Sequence, residues 1–500
     1  MIAKEQNGNH CRDRLSRQDA LILVVLGGLS VGLLLPLAIQ STNYAYGTTD
    51  DYNHYLFAIS SYEDLEFLFN GWGKPLFTFT LLIYLLVPGQ ALESVRFLNC
   101  SMHVLSVLLT YLLARRLALR QEASFLSAVL VLLAPQNLEL AQSILTEPLF
   151  TVMVLLTFLA YADTRYRIAF VLAGFSLLAR SEGLFVIVVL LIAHYWRFGV
   201  RITINQGGLA IFPPGIIALT TTLLFRQPFL AFVPPNYSTF QTYGHGEPLE
   251  YVLGTSEALG LPSMLLALLG IALWVRQGSR ISPVIAPFLV FGVLVVVFHD
   301  LIWALGLFGS WGTLRHLAPT APVFAYFAGY AFQQGWELLQ AQEREYRYQR
   351  PLRAISLGIA VMLAGLWTNW YADPVITPTV EVQVSKEAVD WLKANRPEAV
   401  ENSQNLFVYN PIILSFLDLT YPEVPNQGGA LIDRKIVDNE IQPGGVVLWD
   451  SHHGPLEGKT PLDYFEGGFM QLFMLSKEWY VDSEGNIVEF SVYIFLKLSL

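Results

Sequence analysis

The stretch ALILVVLGGLSVGLLLPLAIQ, Ala20–Gln40, is followed closely by Thr49-Asp50-Asp51-Tyr52-Asn53-His54-Tyr55. The first stretch has no charged residue and provides roughly the 20 apolar residues that a helix needs to cross a bilayer. Four basic residues precede it: Lys4, Arg12, Arg14 and Arg17. Because basic residues collect on the cytoplasmic side, the sequence predicts an inside N-terminus and an acidic pair on the extracytoplasmic surface.

The composition indicates a membrane protein. Of the 500 residues, 54% are hydrophobic and 14% are charged, whereas soluble domains carry about a quarter charged residues. The first span lacks a small-x-small cleavage site and many apolar segments follow it, so we do not expect a cleaved signal peptide. The formal net charge of -10 argues against nucleic acid as a partner. Cys11 and Cys100 provide no disulfide framework and no zinc-type spacing.

Apolar segments separated by basic loops predict about 11 membrane spans in an all-α polytopic membrane domain over residues 1–371. The predicted spans are approximately Ala20–Gln40, Val95–Ala114, Ala123–Pro135, Pro148–Tyr161, Ile168–Ala179, Leu184–Tyr195, Gly208–Phe225, Leu261–Val275, Pro283–Phe298, Leu317–Ala331 and Arg353–Tyr371. Residues 75–88 are apolar but too few to span, so they are predicted to lie at the membrane interface. Residues 226–261 are predicted to form a polar extracytoplasmic loop.

Residues 372–500 have a different character, with frequent charges, Pro/Gly turns and apolar pieces too short to span. Ser385–Asn395 has helical periodicity, with Ser385 as its cap. Three segments favour strands: Asn405–Tyr409, Gly445–Trp449 and Val488–Lys497. This part is therefore predicted to be a small extracytoplasmic α/β domain.

Ionisable residues gather at the predicted outer ends of the spans, and His103 is the main exception. The outer residues are Asp50, Asp51, His54, Lys74, Glu147, Arg180, Glu182, His299, Asp300, Arg315 and His316. A proton- or ion-coupled transporter would usually place such groups near the bilayer midplane. A polar reaction site at the outer surface is therefore favoured, with a multi-pass transporter or lipid flippase as the main alternative and a non-catalytic scaffold as another.

The carboxylates have a structural explanation beside a catalytic one. Taken alone, Asp50 and Asp51 favour the capping and solvation of a helix start. Glu147 follows Thr146, which can cap a helix whose positive end the carboxylate then faces. Both interpretations stay open from the sequence.

The outward arginines need anionic partners, because positive charge is disfavoured on that side of the membrane. Arg180 could pair with Glu182 or Glu147 and merely hold two helices together, or it could bind a lipid phosphate. The same alternatives apply to Arg315 and its neighbour His316.

The order of these features resembles the GT-C superfamily of integral-membrane glycosyltransferases, above all its protein-mannosyltransferase and aminoarabinose-transferase branch. The motifs are the acidic pair, Lys74-Pro75-Leu76, the acidic residue that opens the fourth span, LLARSEG at 177–183 and GTLRHLAPTAP at 312–322. Together they cover roughly residues 20–330. The single proline of Lys74-Pro75-Leu76 departs from that branch, which often has two.

The resemblance implies transfer of a sugar from a polyprenyl-phosphate donor to an extracytoplasmic acceptor, with inversion at the anomeric carbon. A carboxylate would deprotonate the acceptor and cations would stabilise the departing phosphate. Asp50 would be the base, with Asp51 as the substitute. The catalytic candidates are Asp50, Asp51 and Glu147; the substrate-binding candidates are His54, Lys74, Arg180, Glu182, Arg315 and His316.

No cofactor is assigned, and no glycine-rich phosphate loop follows a strand. A divalent cation at the acidic pair stays open. The expected partners are the lipid-linked donor, membrane lipid, and a lipid, glycan or protein acceptor. His452 and His453, in WDSHH at 449–453, have no counterpart in the resemblance. They could bind a metal, but adjacent histidines are more often part of a polar loop, so no metal ligand is predicted.

The orientation rule yields a test of topology. A reporter enzyme that is active only outside the cytoplasm should be active when it is fused after Leu500, while a reporter that is active only in the cytoplasm should be silent there. The reverse result would place the acidic pair on the cytoplasmic face.

Overall fold

The computed structural model describes residues 16–89, 91–232, 244–277, 283–308, 312–342, 349–424, 441–456, 460–481 and 487–498. Three of the basic residues that orient the first span, Lys4, Arg12 and Arg14, lie outside the described residues, as does Cys11.

The N-terminal part is helical, as the apolar pattern predicts. Its helices are α1 (Arg17–Gln40), α2 (Thr49–Ser60), α3 (Pro75–Leu85), α4 (Arg96–Arg116), α5 (Gln121–Leu132), α6 (Pro135–Ala141), α7 (Glu147–Ala162), α8 (Tyr166–Ala179), α9 (Gly183–Phe198), α10 (Val200–Gly207), α11 (Phe212–Phe225), α12 (Glu250–Leu259), α13 (Leu261–Arg276), α14 (Ile285–Ala304), α15 (Ala321–Gln342) and α16 (Gln349–Tyr371). A 3₁₀ segment, Leu314–Thr320, leads into α15.

Several of these helices could cross a membrane. In the part of the chain that the structure describes, five segments are long and apolar enough: Arg17–Gln40, Leu92–Arg116, Val200–Phe225, Ile285–Ala304 and Pro351–Tyr371. Two bent pairs, α5–α6 and α12–α13, pass the same test together, with bends of 60° and 111°. Helices α3, α7, α8 and α9 are shorter and apolar. The predicted apolar helices are confirmed, whereas the number of spans stays a prediction.

The polar loop predicted over residues 226–261 is wrong in its last part, where α12 forms. Five residues of α12 are buried at helical spacing: Tyr251, Gly254, Thr255, Ala258 and Leu259. The Tyr251 hydroxyl donates to the Thr313 carbonyl at 3.0 Å, just before the 3₁₀ segment. Burial of one face against this distant segment stabilises α12, although the polar composition of residues 226–261 does not predict a helix there.

A buried aromatic cluster fixes α7. The ring of Phe158 on α7 lies 4.9 Å from Phe288 and 6.1 Å from Phe291, both on α14. Neighbouring Phe150 is also fully buried. Close packing of large side chains leaves a helix little freedom to shift, so the first residue of α7, Glu147, has a defined position.

A buried arginine fixes the connection between α1 and α2. Arg96 is 1% exposed, and its Nη2 donates to the carbonyls of Thr42 and Ala45 at 2.7 and 3.0 Å. Its guanidinium also lies over the Tyr46 ring at 5.0 Å. These contacts satisfy buried backbone carbonyls and thereby set where α2 begins.

The C-terminal part contains a four-stranded sheet with helices on it. Its elements are α17 (Val380–Asn395), α18 (Pro397–Glu401), β1 (Leu406–Val408), α19 (Pro411–Phe416), β2 (Val446–Asp450), α20 (His453–Leu456), β3 (Phe469–Val481) and β4 (Ile487–Lys497). The strand order is β1-β2-β4-β3, with β1 parallel to β2 and the other pairs antiparallel. A small C-terminal sheet is thus confirmed, whereas the domain boundary between residues 371 and 372 stays a prediction.

Two details of the C-terminal part differ from the sequence prediction. The helix begins at Val380 and is capped by Thr379, whose Oγ1 accepts from Val382 N at 3.3 Å; the predicted cap, Ser385, is buried inside it. The three predicted strands correspond to β1, β2 and β4, but β3 was missed. Its register shifts twice against β4, and such bulges disrupt the period-two pattern that identifies a strand.

The C-terminal part packs directly on α2. Leu56 and Phe57 of α2 share one buried apolar cluster with Val384 of α17 and Leu448 of β2. The Tyr421 amide donates to Ser60 Oγ at 3.0 Å. The position of α2, and with it the acidic pair, therefore depends on both parts of the chain.

Candidate active site

The two adjacent carboxylates have different surroundings. Asp51 is fully buried, and its Oδ2 accepts from the backbone N and the Oγ1 of Thr48 at 3.0 and 2.9 Å. Its Oδ1 accepts from the backbone N of Ile144. Burial raises the pKa of Asp51 to about 6. Asp51 therefore has the capping role, and its hydrogen bonds connect the start of α2 to the turn before α7.

Asp50 lies on another side of α2 and forms an ion pair with Arg315 Nη2. Its side chain is 32% exposed, so it is the accessible member of the pair. Burial would raise the pKa of Asp50, but the guanidinium of Arg315 outweighs this effect and lowers the pKa below its usual value. Asp50 is therefore ionised at neutral pH and open to a ligand.

Glu147 lies at the centre of the site. Its Oε1 is 2.7 Å from Arg180 Nη1, 3.6 Å from Arg315 Nε and 3.7 Å from His316 Nδ1, and its side chain is 1% exposed. The predicted cap by Thr146 is wrong, because Thr146 makes no side-chain cap bond and its Oγ1 accepts from Arg180 Nη1 at 2.8 Å. One buried carboxylate thus connects two arginines that are far apart in sequence.

Arg180 is held by protein groups on several sides. Its Nε and Nη2 donate to Glu182 Oε1 at 3.0 and 2.7 Å, and Nη2 lies 3.0 Å from His316 Nδ1. The internal pairing that the sequence allowed is therefore present with both Glu147 and Glu182. Arg180 is nevertheless part of the same charge network as Asp50, because Glu147 also approaches Arg315.

A histidine pair completes this network. His299 Nε2 lies 3.2 Å from Glu182 Oε1, and its ring stacks on His316 with centroids 4.7 Å apart and planes 12° apart. Burial lowers the pKa of His316 to about 4, so it is neutral at pH 7. His299 was not assigned a role from the sequence, although its place at the outer end of a predicted span was a signal. We call the set Asp50, Glu147, Arg180, Glu182, His299, Arg315 and His316 the charged cluster.

Arg315 has unused hydrogen-bond donors. Its Nη2 pairs with Asp50, whereas its Nε and Nη1 are buried and have no hydrogen-bond partner among the described residues. A buried guanidinium N–H without a partner is costly, so this arrangement favours the binding of an anion there.

Lys74 adjoins the cluster from the start of α3. Its Nζ lies 3.4 Å from Ser181 Oγ, next to Arg180. Burial and the neighbouring positive charge of Arg180 lower the pKa of Lys74 to about 8. Its backbone has φ of 60°, a strained conformation for a residue with a side chain, and such strain often occurs at functional sites.

His54 borders the site through aromatic contacts. Its ring centroid lies 5.0 Å from those of Trp72 and Phe77, and its Nδ1 has no hydrogen-bond partner among the described residues. Burial lowers the pKa of His54 to about 4, partly opposed by the carboxylates of Asp50 and Glu147. The structure therefore places His54 beside the cluster and not within its hydrogen bonds.

Two groups of described residues could hold a metal ion. They are Glu182 with His299 and His316, and Glu381 with His452 and His453. The first group is in contact with the Arg180 guanidinium, which disfavours a second positive charge. The acidic pair is in neither group, so a cation at Asp50 and Asp51 stays a prediction.

The cluster combines an accessible carboxylate with cations that could accept negative charge. Asp50 is accessible and could accept a proton from a bound ligand. Arg315 and Lys74 lie where they can stabilise an oxyanion. This arrangement suits the transfer of a group away from a phosphate.

Residues 49–244 match the model of the family described as dolichyl-phosphate-mannose-protein mannosyltransferase. The matched region begins at Thr49 and contains Asp50, Lys74, Glu147 and Arg180. A search of curated protein sequences found no match.

Solved structures share the fold of this chain. ArnT from Cupriavidus metallidurans in the apo state has a TM-score of 0.58 at 12% identity, over 95% of this chain and 98% of that chain. The oligosaccharyltransferase of Archaeoglobus fulgidus in the apo form has a TM-score of 0.54 at 14% identity, over 94% and 74%. The arabinofuranosyltransferase AftD from Mycobacteria has 0.52 at 14% identity, over 97% and 40%. Further structures show ArnT bound to undecaprenyl phosphate, and the archaeal enzyme with dolichol-phosphate and an inhibitory peptide.

The resemblance to the GT-C superfamily is therefore confirmed, and the chain is a glycosyltransferase. The shared fold covers 95% of the chain in ArnT, so it extends beyond residues 20–330 into the C-terminal sheet. The comparisons do not favour the transporter alternative.

The surroundings of Asp51 predict that its main effect is on stability. Asp51→Ala leaves the N–H groups of Thr48 and Ile144 without their acceptor, at a cost of about 1–3 kcal/mol for the buried Ile144 N–H and less for the partly buried Thr48 N–H. We expect a lower apparent melting temperature of the detergent-purified protein, measured by intrinsic fluorescence. Asp50→Asn keeps an acceptor for Arg315 and should melt close to wild type. Equal melting temperatures for Asp51→Ala and wild type would contradict the capping role.

Proposed function

We propose that this protein transfers a sugar from a polyprenyl-phosphate donor to an acceptor at the extracytoplasmic membrane surface, with Asp50 as the general base and inversion at the anomeric carbon. The observation that carries the proposal is the partly exposed Asp50–Arg315 ion pair, in which Arg315 retains buried N–H groups without a hydrogen-bond partner among the described residues. The lipid phosphates bound by ArnT and the archaeal oligosaccharyltransferase support this donor class.

The donor phosphate would lie against Arg315 and Lys74. Arg315 offers Nη1, since its Nε already lies 3.6 Å from Glu147 Oε1, and Lys74 offers an ammonium group that lies at a long 3.4 Å from Ser181 Oγ. Both can make charge-assisted hydrogen bonds to phosphate oxygens. Arg180 is already engaged by Glu147 and Glu182, so we assign it the positioning of Glu147 and additional positive potential at the phosphate.

Donor binding would also activate Asp50. In the free protein, Arg315 holds the pKa of Asp50 down, which makes Asp50 a weak base. A phosphate that pairs with Arg315 replaces part of that ion pair and brings a second negative charge near Asp50. Both changes raise the basicity of Asp50 only when the donor is present.

The transfer then follows as a single displacement. The acceptor O–H or N–H gives its proton to Asp50 while its oxygen or nitrogen forms a bond to the anomeric carbon. The bond between that carbon and the phosphate oxygen breaks, and the electron pair leaves with the polyprenyl phosphate. Arg315 and Lys74 stabilise the charge that develops on this phosphate. Attack opposite to the leaving group produces inversion.

Several features support the extracytoplasmic side. The basic residues before the first span support an extracytoplasmic α2, and the C-terminal part packs on α2. An acceptor would therefore approach between the membrane surface and the C-terminal sheet. The acceptor class, whether lipid, glycan or protein, and the sugar are not assigned.

The base assignment predicts a large loss of activity without a loss of fold. Asp50→Asn keeps the size and a hydrogen-bond acceptor but removes the basicity. General-base catalysis contributes about 10²- to 10⁴-fold, so kcat should fall by that factor. Activity is measured as release of polyprenyl phosphate from a panel of polyprenyl-phosphate hexoses, with an unchanged melting temperature as the check on folding.

Asp64→Asn is the matched control, because Asp64 is an exposed aspartate on the turn after α2 and outside the charged cluster. It should keep wild-type activity. Near-normal turnover by folded Asp50→Asn would exclude Asp50 as the base.

The lowered pKa of Lys74 predicts a pH dependence of donor binding. Lysine is charged below its pKa, so its attraction for phosphate is present at pH 7 and is lost as the pH rises through about 8. The KM for the donor should therefore rise about tenfold between pH 7 and pH 9, and kcat should fall as well, because Lys74 also stabilises the departing phosphate.

Lys74→Arg is the matched variant, because a guanidinium stays charged over this range. The rise of KM with pH should disappear in it. A wild-type KM that stays flat from pH 7 to pH 9, or the same rise in Lys74→Arg, would show that Lys74 does not contact the donor.

A further inference from the structure

A second group of polar side chains lies where the C-terminal part meets α2. Glu381 is in the first turn of α17, and His452 and His453 follow β2. The three residues are 8%, 5% and 3% exposed, so they are buried and do not form the polar loop that the sequence favoured. One carboxylate oxygen and one nitrogen of each histidine lie within 4.8 Å of one another. The proposed sugar transfer does not use them.

Asp450 orients the two histidines of this group. It is fully buried, and its Oδ1 accepts from the backbone N of His452 at 3.0 Å and of His453 at 2.8 Å. The same oxygen lies 3.0 Å from His453 Nδ1. The same nitrogen lies 3.9 Å from Glu381 Oε1, so Nδ1 of His453 lies between two buried carboxylates. A carboxylate next to a metal-ligating imidazole is a usual outer contact that orients the ring.

Glu381 is oriented by two other donors. Its Oε1 accepts from Thr49 Oγ1 at 3.1 Å and from Asn410 Nδ2 at 3.2 Å. The same oxygen lies 3.9 Å from His452 Nδ1, too far for a hydrogen bond between them. A separation of this size is close to the distance of about 3.4 Å between two ligands of a tetrahedral ion with bonds of 2.0–2.1 Å.

We infer that Glu381, His452 and His453 bind a divalent transition-metal ion of the Zn²⁺ type. A site with two imidazole nitrogens and one carboxylate oxygen favours Zn²⁺ over Ca²⁺ and Mg²⁺, because those two ions prefer ligands that are all oxygen. The ion offsets the charge of the buried Glu381 and Asp450 carboxylates, which is otherwise costly in a site with little solvent. Three protein ligands leave one position of a tetrahedral ion for a further donor.

The ion has a positioning role in the chain. Its ligand Glu381 accepts a hydrogen bond from Thr49, the residue before Asp50. The two histidines follow the C-terminal end of strand β2. Binding the ion therefore fixes the C-terminal sheet against the start of α2. This inference does not rest on the proposed function, since it concerns metal binding and stability.

The first test measures the metal in the full-length protein, purified in detergent, treated with a chelator and then incubated with Zn²⁺. After removal of free ion, elemental analysis should find about one Zn²⁺ per chain, and Co²⁺ in its place should produce the visible absorption bands of a tetrahedral site. Wild-type protein without bound Zn²⁺, or with the featureless spectrum of weakly bound Co²⁺, would overturn the inference.

Variants locate the ion. His452→Gln and Glu381→Gln should each lose the bound Zn²⁺, because each lacks one ligand, whereas His245→Gln should retain it. His245 is an exposed histidine outside the group and serves as the matched control. Equal Zn²⁺ content in His452→Gln and wild type would show that the ion lies elsewhere and overturn the assignment.

A measurement on the wild type keeps the test independent of whether the variants fold. Chelation should lower the apparent melting temperature, and Zn²⁺ but not Mg²⁺ should restore it, because a ligand that binds the folded state stabilises it. A melting temperature that neither the chelator nor Zn²⁺ changes would indicate that the Asp450–His453 pair holds this junction without an ion.

Discussion

The buried carboxylate of Glu147 is the constraint on which the site depends. At 1% exposure it must be compensated by positive charge, since an unpaired buried ion costs several kcal/mol. Arg180, between α8 and α9, and Arg315, in the 3₁₀ segment before α15, supply that charge at 2.7 and 3.6 Å. One side chain thus brings three distant parts of the chain together.

The C-terminal part extends this constraint to the proposed base. Asp50 is at the start of α2, whose other face is covered by apolar residues of α17 and the sheet. Asp51 and Glu381 hold the first turn of α2 from two sides, through Ile144 and Thr49. The orientation of Asp50 toward Arg315 is therefore a joint result of both parts, which explains why a membrane enzyme would carry a sheet packed on its site.

The two aspartates illustrate what local sequence can and cannot decide. Both capping and chemistry are plausible for a carboxylate in the first turn of a helix. Successive helix residues point about 100° apart, so only one of the two can face Arg315 while the other turns toward Ile144. That choice depends on where α7 and the 3₁₀ segment lie. For the same reason the sequence did not assign roles to His299 and Glu381, which contact Glu182 and His452 from distant parts of the chain.

From the sequence alone we predicted the membrane character, the apolar helices, three of the four described strands and a set of candidate residues that includes six of the seven members of the charged cluster. The first three follow from composition and short-range periodicity, whereas the candidate residues follow from the charges at the ends of the predicted spans and from the resemblance to the GT-C superfamily. The three-dimensional arrangement was needed to show that Asp51 caps α2 while Asp50 is partly exposed, that Arg180 is fully engaged while Arg315 Nη1 has no hydrogen-bond partner among the described residues, and that His452 and His453 are buried. Charges are paired across space, and the energy of each pair depends on burial and on groups from distant segments that no local pattern records.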